Sequence, residues 1–381
     1  MKAVSTVVST TVWDEDFFYN FVTLRNSFYD GFLDFIPEDI EDLKKILSPQ
    51  APFNKNNKWE AVLLKEGDKF IGRIFYSTRT DHYKQMDFLP VGYIEADSQE
   101  TFNELIRHAE EFGKNEGYKQ LRGPIEGNVF NSSRLLITQN DKHFFTEPFF
   151  KREYLNYLEI NGFKSFQTWV SWKSTIFGRI SSIQELLGRS KKNKEKYTGQ
   201  NKKIEFKIRD LKLSSWDQEM DIFYDLLMDS FSEFKDVEYI TKEELKVYLD
   251  DLKYILLEKH CLILEVDNKP IGFVCALLDF QKELSLLKNN PSLLNKIRIF
   301  LKKKLSLGRV LVLYIGKKKE SEDQIKGIAV KLLKALTKRN LGFPLNTVIF
   351  GYMQKGTKIS SLMAKNCKVI SSYGTFFKDI L

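Results

Sequence analysis

Two stretches of the chain repeat one order of apolar and polar positions. From Trp59 to Thr78 the residues read WEAVLLKEGDKFIGRIFYST: an apolar run, a polar turn and a second apolar run. From His260 to Asp279 they read HCLILEVDNKPIGFVCALLD, with the same three parts. Paired apolar runs around a short Gly/Asp/Asn-containing turn predict a β-hairpin. The turns align residue by residue, Asp68-Lys69-Phe70-Ile71-Gly72 against Asn268-Lys269-Pro270-Ile271-Gly272.

The elements downstream of each hairpin are repeated as well. After the first comes a predicted strand, Val91 to Ala96, and a helix from about Ser98 to Asn115. Phe102, Leu105, Ile106 and Ala109 recur there at helical spacing. After the second comes a helical excursion, a predicted strand from Val310 to Ile315, and a helix from about Gln324 to Arg339. Gly117-Tyr118 ends the first helix and Leu341-Gly342-Phe343 the second. A further strand then leads into a loop, holding Ser132-Ser133 in one half and Ser360-Ser361 in the other. One order of elements met twice predicts a duplicated α/β (α+β) unit, each copy a mixed, mostly antiparallel sheet flanked by helices. The boundaries read from this pattern are 1–185 for the first unit, 186–203 for a linker and 204–381 for the second.

Length agrees, since 381 residues exceed one typical core and suit two domains. Charge adds one feature. Of the net +8, a local +6 falls between Gly188 and Lys203, where seven basic side chains face Glu195 alone. Polar and without apolar periodicity, this segment reads as a tether rather than a nucleic-acid site. An anionic partner such as tRNA, lipid headgroups or CoA phosphates is the alternative. No apolar run approaches the ~20 residues of a membrane span, and MKAVSTVVSTTVWDEDFF has no cationic region ahead of an apolar one. Three unpaired-spacing cysteines and four scattered histidines argue for no disulfide framework and no metal. The expectation is a cytoplasmic protein.

The candidate chemistry lies at one strand-to-helix turn. In the second unit the turn runs Gly316 to Asp323, and the helix opens Gln324-Ile325-Lys326-Gly327-Ile328-Ala329. A helix start offers unpaired N–H groups and the positive end of the helix dipole. Small residues at Gly327 and Ala329 let a diphosphate approach those amides. Lys326 and Lys317 to Lys319 add positive charge, with Glu320, Glu322 and Asp323 in the same turn. The first unit has Asp97-Ser98-Gln99-Glu100-Thr101-Phe102 instead, with no glycine and an acidic first turn.

These residues carry a family resemblance. Gln324 to Ala329 resembles the Q/R-x-x-G-x-G/A pyrophosphate signature of the GNAT (acyl-CoA N-acyltransferase) superfamily. The first unit resembles bacterial two-GNAT-domain N-acyltransferase-like proteins, to which the bacterial ceramide synthases are related. The likeness rests on Phe21-Val22-Thr23-Leu24 with Phe28-Tyr29, Leu47-Ser48-Pro49 before Phe53, Ile71-Gly72-Arg73-Ile74 and Gly92-Tyr93-Ile94-Glu95. It continues through Gly123-Pro124, Leu135-Leu136, and Tyr154 before Gly162-Phe163. Departures are Lys326-Gly327 for the usual arginine-glycine, Gln354-Lys355-Gly356-Thr357 for an acidic stretch ending in asparagine, and Leu362-Met363-Ala364 where a tyrosine is usual. The resemblance implies tandem GNAT folds, with acetyl-CoA or a longer acyl-CoA held by the second unit. It puts Ile315 and Gly316 beside the cofactor and makes Tyr314 and Tyr352 the candidate acids for a departing thiolate, while no residue stands out as a base. It implies an amine acceptor, in the family a long-chain, sphingoid-like one. A FemX-like aminoacyl-tRNA-dependent transferase and a non-catalytic binding protein of this fold are the alternatives. For a membrane-borne acceptor, Leu294 to Lys304 offers Leu294, Ile297 and Leu301 at helical spacing beside basic residues, as interfacial helices do.

Overall fold

The computed structural model describes residues 5–80, 87–174, 205–232, 240–306, 308–321, 325–340 and 347–380. The linker expected at 186–203, and Gln324 of the signature turn, lie outside the described residues. The first half runs β1 (Thr6–Thr10), α1 (Glu15–Phe28), α2 (Ile40–Leu47), α3 (Pro52–Asn56), β2 (Asn57–Glu66) and β3 (Lys69–Arg79). It continues with β4 (Phe88–Ala96), α4 (Gln99–Asn115), β5 (Gln120–Gly123), β6 (Leu135–Gln139), α5 (Tyr154–Ile160) and β7 (Lys164–Ser174). The second half runs β8 (Phe206–Asp210), α6 (Trp216–Phe231), α7 (Lys242–Leu249), β9 (Cys261–Val266), β10 (Lys269–Leu278), α8 (Gln281–Asn289) and α9 (Leu293–Leu305). It ends with β11 (Val310–Lys317), α10 (Ile328–Asn340), β12 (Val348–Gln354), α11 (Lys358–Asn366) and β13 (Lys368–Asp379).

The hairpins expected from the apolar runs are β2–β3 and β9–β10, both antiparallel. Their runs are continuously apolar because the sheet is covered on both faces. Along β2 and β3, Val62, Leu64, Ile74 and Tyr76 enter the core beneath α4. Ala61, Leu63 and Phe75 between them enter the core with α1 and α2. The second half alternates the same way, with Leu262, Leu264, Val274 and Ala276 under α10. Cys261, Phe273, Cys275 and Leu277 pack with α6 and α7. This is the two-residue side-chain period of a strand, read out as two cores.

The repeat extends to atomic packing. Gly72 backs onto α4 so closely that a Cβ there would sit 2.5 Å from Thr101 Cγ2 and 3.1 Å from Leu105 Cδ1. A Cβ on Gly272 would sit 2.4 Å from Ile328 Cγ2 and 3.6 Å from Leu332 Cδ1 of α10. Asp97 N donates to the Ile71 carbonyl at 3.0 Å, and Lys318 N to the Ile271 carbonyl at 2.9 Å. Thr101 therefore corresponds to Ile328, and the counterpart of Gly327 is Glu100. The helix expected from Gln324 begins at Ile328, and Ser360-Ser361 lies in the first turns of α11, not in a loop.

The pairing of the halves has no precursor in the sequence pattern. They do not each close their own sheet but share one, in the order β1-β2-β3-β4-β5-β13-β7-β12-β11-β10-β9-β8. β13, the last strand, pairs with β5 of the first half, while β7 pairs with β12 of the second. β7 and β13 also pair with each other, antiparallel over Lys164 to Lys173. Each half thus completes the other, and the only parallel pairs among the described residues are β4–β5 and β11–β12.

Candidate functional site

At the start of α10, Ile325 and Ile328 are buried at 8 % and 2 % exposure, which anchors the turn to the core. Lys326 and Gly327 between them are exposed. Gly327 has φ +73°, a left-handed conformation that favours glycine. Among the described residues a Cβ there would meet only Val330 Cβ, at 3.9 Å, so none of them crowds the helix start. Ala329 follows on the first turn, half-buried. Beside this turn lies a half-open cleft of about 400 Å³ between the β9–β10 hairpin (Asp267, Lys269, Pro270) and Lys318, Glu320 and Ser321.

β11 and β12 separate next to that turn. Their parallel pairing covers Val310–Val312 with Val348–Phe350 and goes no further. Tyr314, Ile315 and Gly316 then diverge from Tyr352, where β12 itself is kinked, with φ +52° and a register shift against β7. Gly316 is explained by packing: a Cβ would lie 2.3 Å from Ser230 Oγ of α6. That hydroxyl accepts from Lys317 N and donates to the Lys317 carbonyl, both at 2.7 Å.

The two candidate tyrosines differ. Tyr352 donates its hydroxyl to the Thr146 carbonyl, and burial, with the Glu147 charge second, holds it well above the usual phenol range. Tyr314 packs edge-on to Phe223 and Phe231, with ring centroids 6.0 and 6.3 Å away. Burial pushes it up to about 12, so the proton stays on oxygen at neutral pH. Its hydroxyl has no hydrogen-bond partner among the described residues, which leaves it able to donate.

The matching region of the first half is closed. Ser98 Oγ caps α4 by accepting from Thr101 N at 3.2 Å, and Thr101 Oγ1 donates to Asp97 at 2.7 Å. The gap between β4 and β5 is filled by the chain itself. Ile125 N donates to the Val91 carbonyl at 2.8 Å, and a Cβ on Gly92 would lie 2.1 Å from the Ile125 carbonyl oxygen.

What that half has instead is a buried charge network, which sequence reasoning did not assemble. Arg73 grips Glu38 with both terminal nitrogens, at 2.8 and 2.9 Å. Arg25 reaches Glu38 at 3.1 Å and also pairs with Glu95. Tyr29 and Tyr154 donate to Glu95 at 2.9 and 2.8 Å. Burial works against ionising Glu38, but the Arg73 and Arg25 guanidiniums outweigh it and lower its pKa; for Glu95 burial prevails and raises it. Tyr29, Arg73, Glu95 and Tyr154 are residues that carried the family resemblance, and they converge in space. The available signal was a lone charge inside each of two otherwise apolar strands.

A second cluster that sequence reasoning missed sits where the halves meet. Tyr373 of β13 donates to Glu147 Oε1, and His143 Nδ1 lies 2.9 Å from Glu147 Oε2. The loop carrying His143 and Glu147 also supplies Thr146 and Phe144 to Tyr352.

No family model matches the chain. It is similar to protein YghO of Escherichia coli (strain K12), 23% identical over 271 residues. The match covers 70% of this chain and 66% of that protein's length, just under two thirds of it. Among solved structures, a tandem GNAT protein from the clavulanic acid biosynthesis pathway superposes with a TM-score of 0.52 at 9% identity, over 99% of both chains. A probable N-acyltransferase from Enterococcus faecalis V583 gives 0.55 at 7% identity, over 99% of this chain and 73% of that one. With two repeated units, a splayed parallel strand pair in each and these full-length likenesses, the chain has the tandem GNAT fold.

Proposed function

We propose that the protein is an acyl-CoA-dependent N-acyltransferase whose thioester site lies in the second half. The observation that carries this is the open, left-handed Gly327 at the start of α10, next to the point where β11 and β12 part. A diphosphate suits this turn: a helix start offers unpaired first-turn amides, and among the described residues nothing crowds Gly327. Ile325, Lys326, Gly327, Ile328 and Ala329 would hold it, with Gln324 preceding them. The pantetheine arm would run between the parted strands along Ile315, because Ser230 already holds both backbone groups of Lys317. Tyr314 supplies the thiolate's proton. The capped start of α4 and the filled β4–β5 gap leave no matching place in the first half, so one acyl-CoA per chain is expected.

Gly327→Asp tests this, with Gly327→Asn as its control. Both side chains tolerate a left-handed backbone, so the pair isolates the added charge. In calorimetric titration with acetyl-CoA, the Asp variant should bind at least about 100-fold more weakly, some 3 kcal/mol, and the Asn variant much less so. Acetyl-CoA affinity unaltered by the Asp substitution sinks the assignment.

The acceptor we propose is a long-chain amine met at a membrane surface. Its support is α9. Asn295 is the one side chain of that helix buried against the protein, bonded to the Leu286 and Asn290 carbonyls. Leu294, Ile297, Phe300 and Leu301 point outward, Leu294 at 69 % and Phe300 at 62 % exposure. Lys296, Arg298 and Lys304 are exposed among them and the helix has no acidic residue. An anionic bilayer matches both the apolar face and its charge. Decanoyl-CoA in the same titrations reads the preferred acyl length.

A further inference from the structure

Acylating an amine through a thioester requires a group to take the amine's proton, and the second half has no carboxylate or histidine on the parted ends of β11 and β12. The loop from the first half that closes over Tyr352 supplies one. We infer that His143, oriented by Glu147, is the general base of the acyl transfer; this rests on the acyl-CoA reading of the same site.

A buried carboxylate stands directly beside the imidazole. His143 Nδ1 lies 2.9 Å from Glu147 Oε2, an ion-pair distance without hydrogen-bond alignment. A carboxylate oxygen this near disfavours a lone pair on Nδ1, so the neutral ring would keep its hydrogen there and its lone pair on Nε2. Glu147 cannot swing away, because Tyr373 donates to its other oxygen and its side chain is fully buried. The imidazole keeps 11 % of its surface accessible, and Nε2 bonds to no described residue.

The loop is pinned on every side. Arg309, which opens the approach to β11, donates to the Lys142 and His143 carbonyls and pairs with Asp279. Phe145 N donates to Asp279 at 2.8 Å. Tyr352 donates to Thr146, its ring lies 5.7 Å from Phe144 and 5.1 Å from Tyr373, and Arg134 stands over it at 5.4 Å. The other face of His143 meets Phe149 at 4.8 Å, and Phe149 meets Tyr29 at 5.2 Å. The loop thus links Tyr352, at the parted end of β12, to the polar network of the first half, with the imidazole on the side of Phe149. The charged groups around it are Glu147, Arg309 with Asp279 behind it, Arg134 beyond Tyr352, and Arg25 beyond Phe149.

In the step itself, the amine nitrogen attacks the thioester carbonyl carbon. The N–C bond forms, the C–S bond breaks, and the nitrogen's proton passes to His143 Nε2. The leaving thiolate takes a proton from Tyr314, which recovers one from solvent as His143 releases its own. Glu147 and Tyr373 are positioning residues.

The test monitors release of free CoA thiol from acetyl-CoA with octylamine as the probe amine, over about pH 6 to 9. Wild type, His143→Gln and Glu147→Gln are compared, each with acetyl-CoA binding and thermal midpoint measured. His143→Gln should lower kcat by about 10²–10⁴-fold and flatten the rise of rate with pH. Its KM for acetyl-CoA should stay within a factor of about two, since no uniform binding is removed. Glu147→Gln should move the rise in pH while acetyl-CoA affinity holds. A His143→Gln enzyme with wild-type kcat and pH profile overturns the inference while leaving the acyl-CoA reading intact. Failure of wild type to bind acetyl-CoA overturns both. Should wild type bind acetyl-CoA but not turn octylamine over, diethyl pyrocarbonate labelling decides. Modification of His143 that acetyl-CoA blocks supports the assignment, and an unreactive or unblocked His143 overturns it.

Discussion

Glu126 is the residue with the clearest consequence for pH. It stands in the turn that fills the β4–β5 gap, partly buried beside the Arg25, Arg73, Glu38 and Glu95 network. Those two arginines are already paired with Glu38 and Glu95, and the third carboxyl has no ion-pair partner of its own among the described residues. Burial pushes it up to about 7, with the Arg25 charge opposing. A carboxyl raised on folding stays protonated in the native state while the unfolded chain ionises. Its contribution is complete below the unfolded pKa, then falls as pH rises toward 7. Glu126→Gln should remove part of that fall, making the protein about 1–3 kcal/mol more stable than wild type near pH 8 with little difference near pH 4. Urea melts at the two pH values check this, and equal slopes for both proteins refute it. Glu95, also raised by burial, keeps some of the decline in place. None of this is legible from composition, because Glu126 resembles any loop glutamate until the chain is folded across the gap.

At the scale of elements, spacing located hairpins, strands and long helices well, and their ends less well. Ile328 rather than Gln324 opens α10 because Gly327 takes a left-handed conformation just before it. Orientation was beyond the pattern. For α9 the apolar stripe is the face that an ordinary surface helix buries, yet the structure turns it outward and packs Asn295, with a Lys302–Glu283 pair at 2.6 Å, against α8 and the body. The prediction belongs to this helix. The protein should float with vesicles containing phosphatidylglycerol, less so at high salt, and hardly with pure phosphatidylcholine. Ile297→Ser with Leu301→Ser should abolish flotation at unchanged thermal stability, since both side chains are exposed. A wild-type protein that stays with the soluble fraction on anionic vesicles refutes the membrane reading. A shift to dimer in sedimentation instead would assign the face to a second copy.

For the whole molecule the exchange of β7 and β13 decides what can fold alone. Residues 1–185 by themselves leave β5 without the strand that completes its sheet, and residues 204–381 leave β12 without β7. An unpaired strand edge of this kind invites aggregation. Each half expressed alone should therefore be insoluble or poorly folded, and the two co-expressed should purify together with the circular dichroism of the full chain. A first half that is monomeric and cooperatively folded on its own contradicts this account. The same exchange explains why the candidate site draws on both halves. Phe144 and Thr146 precede β7 in the chain, yet they meet Tyr352 of β12 because β7 carries that region to the second half.

The sequence by itself determined the duplicated unit, the turn at Gly327 and the absence of its counterpart before α4. These are local matters of side-chain period, glycine position and first-turn charge, each contained in a few tens of residues. Only the tertiary structure decided which strands complete which sheet, because antiparallel edges of similar apolar strands are interchangeable in pattern. It also decided that Tyr29, Arg73, Glu95 and Tyr154 form one network, and that Glu147 meets Tyr373 across 226 residues of chain. Contacts of such separation leave no periodic trace, since what brings their partners together is the closure of the shared sheet.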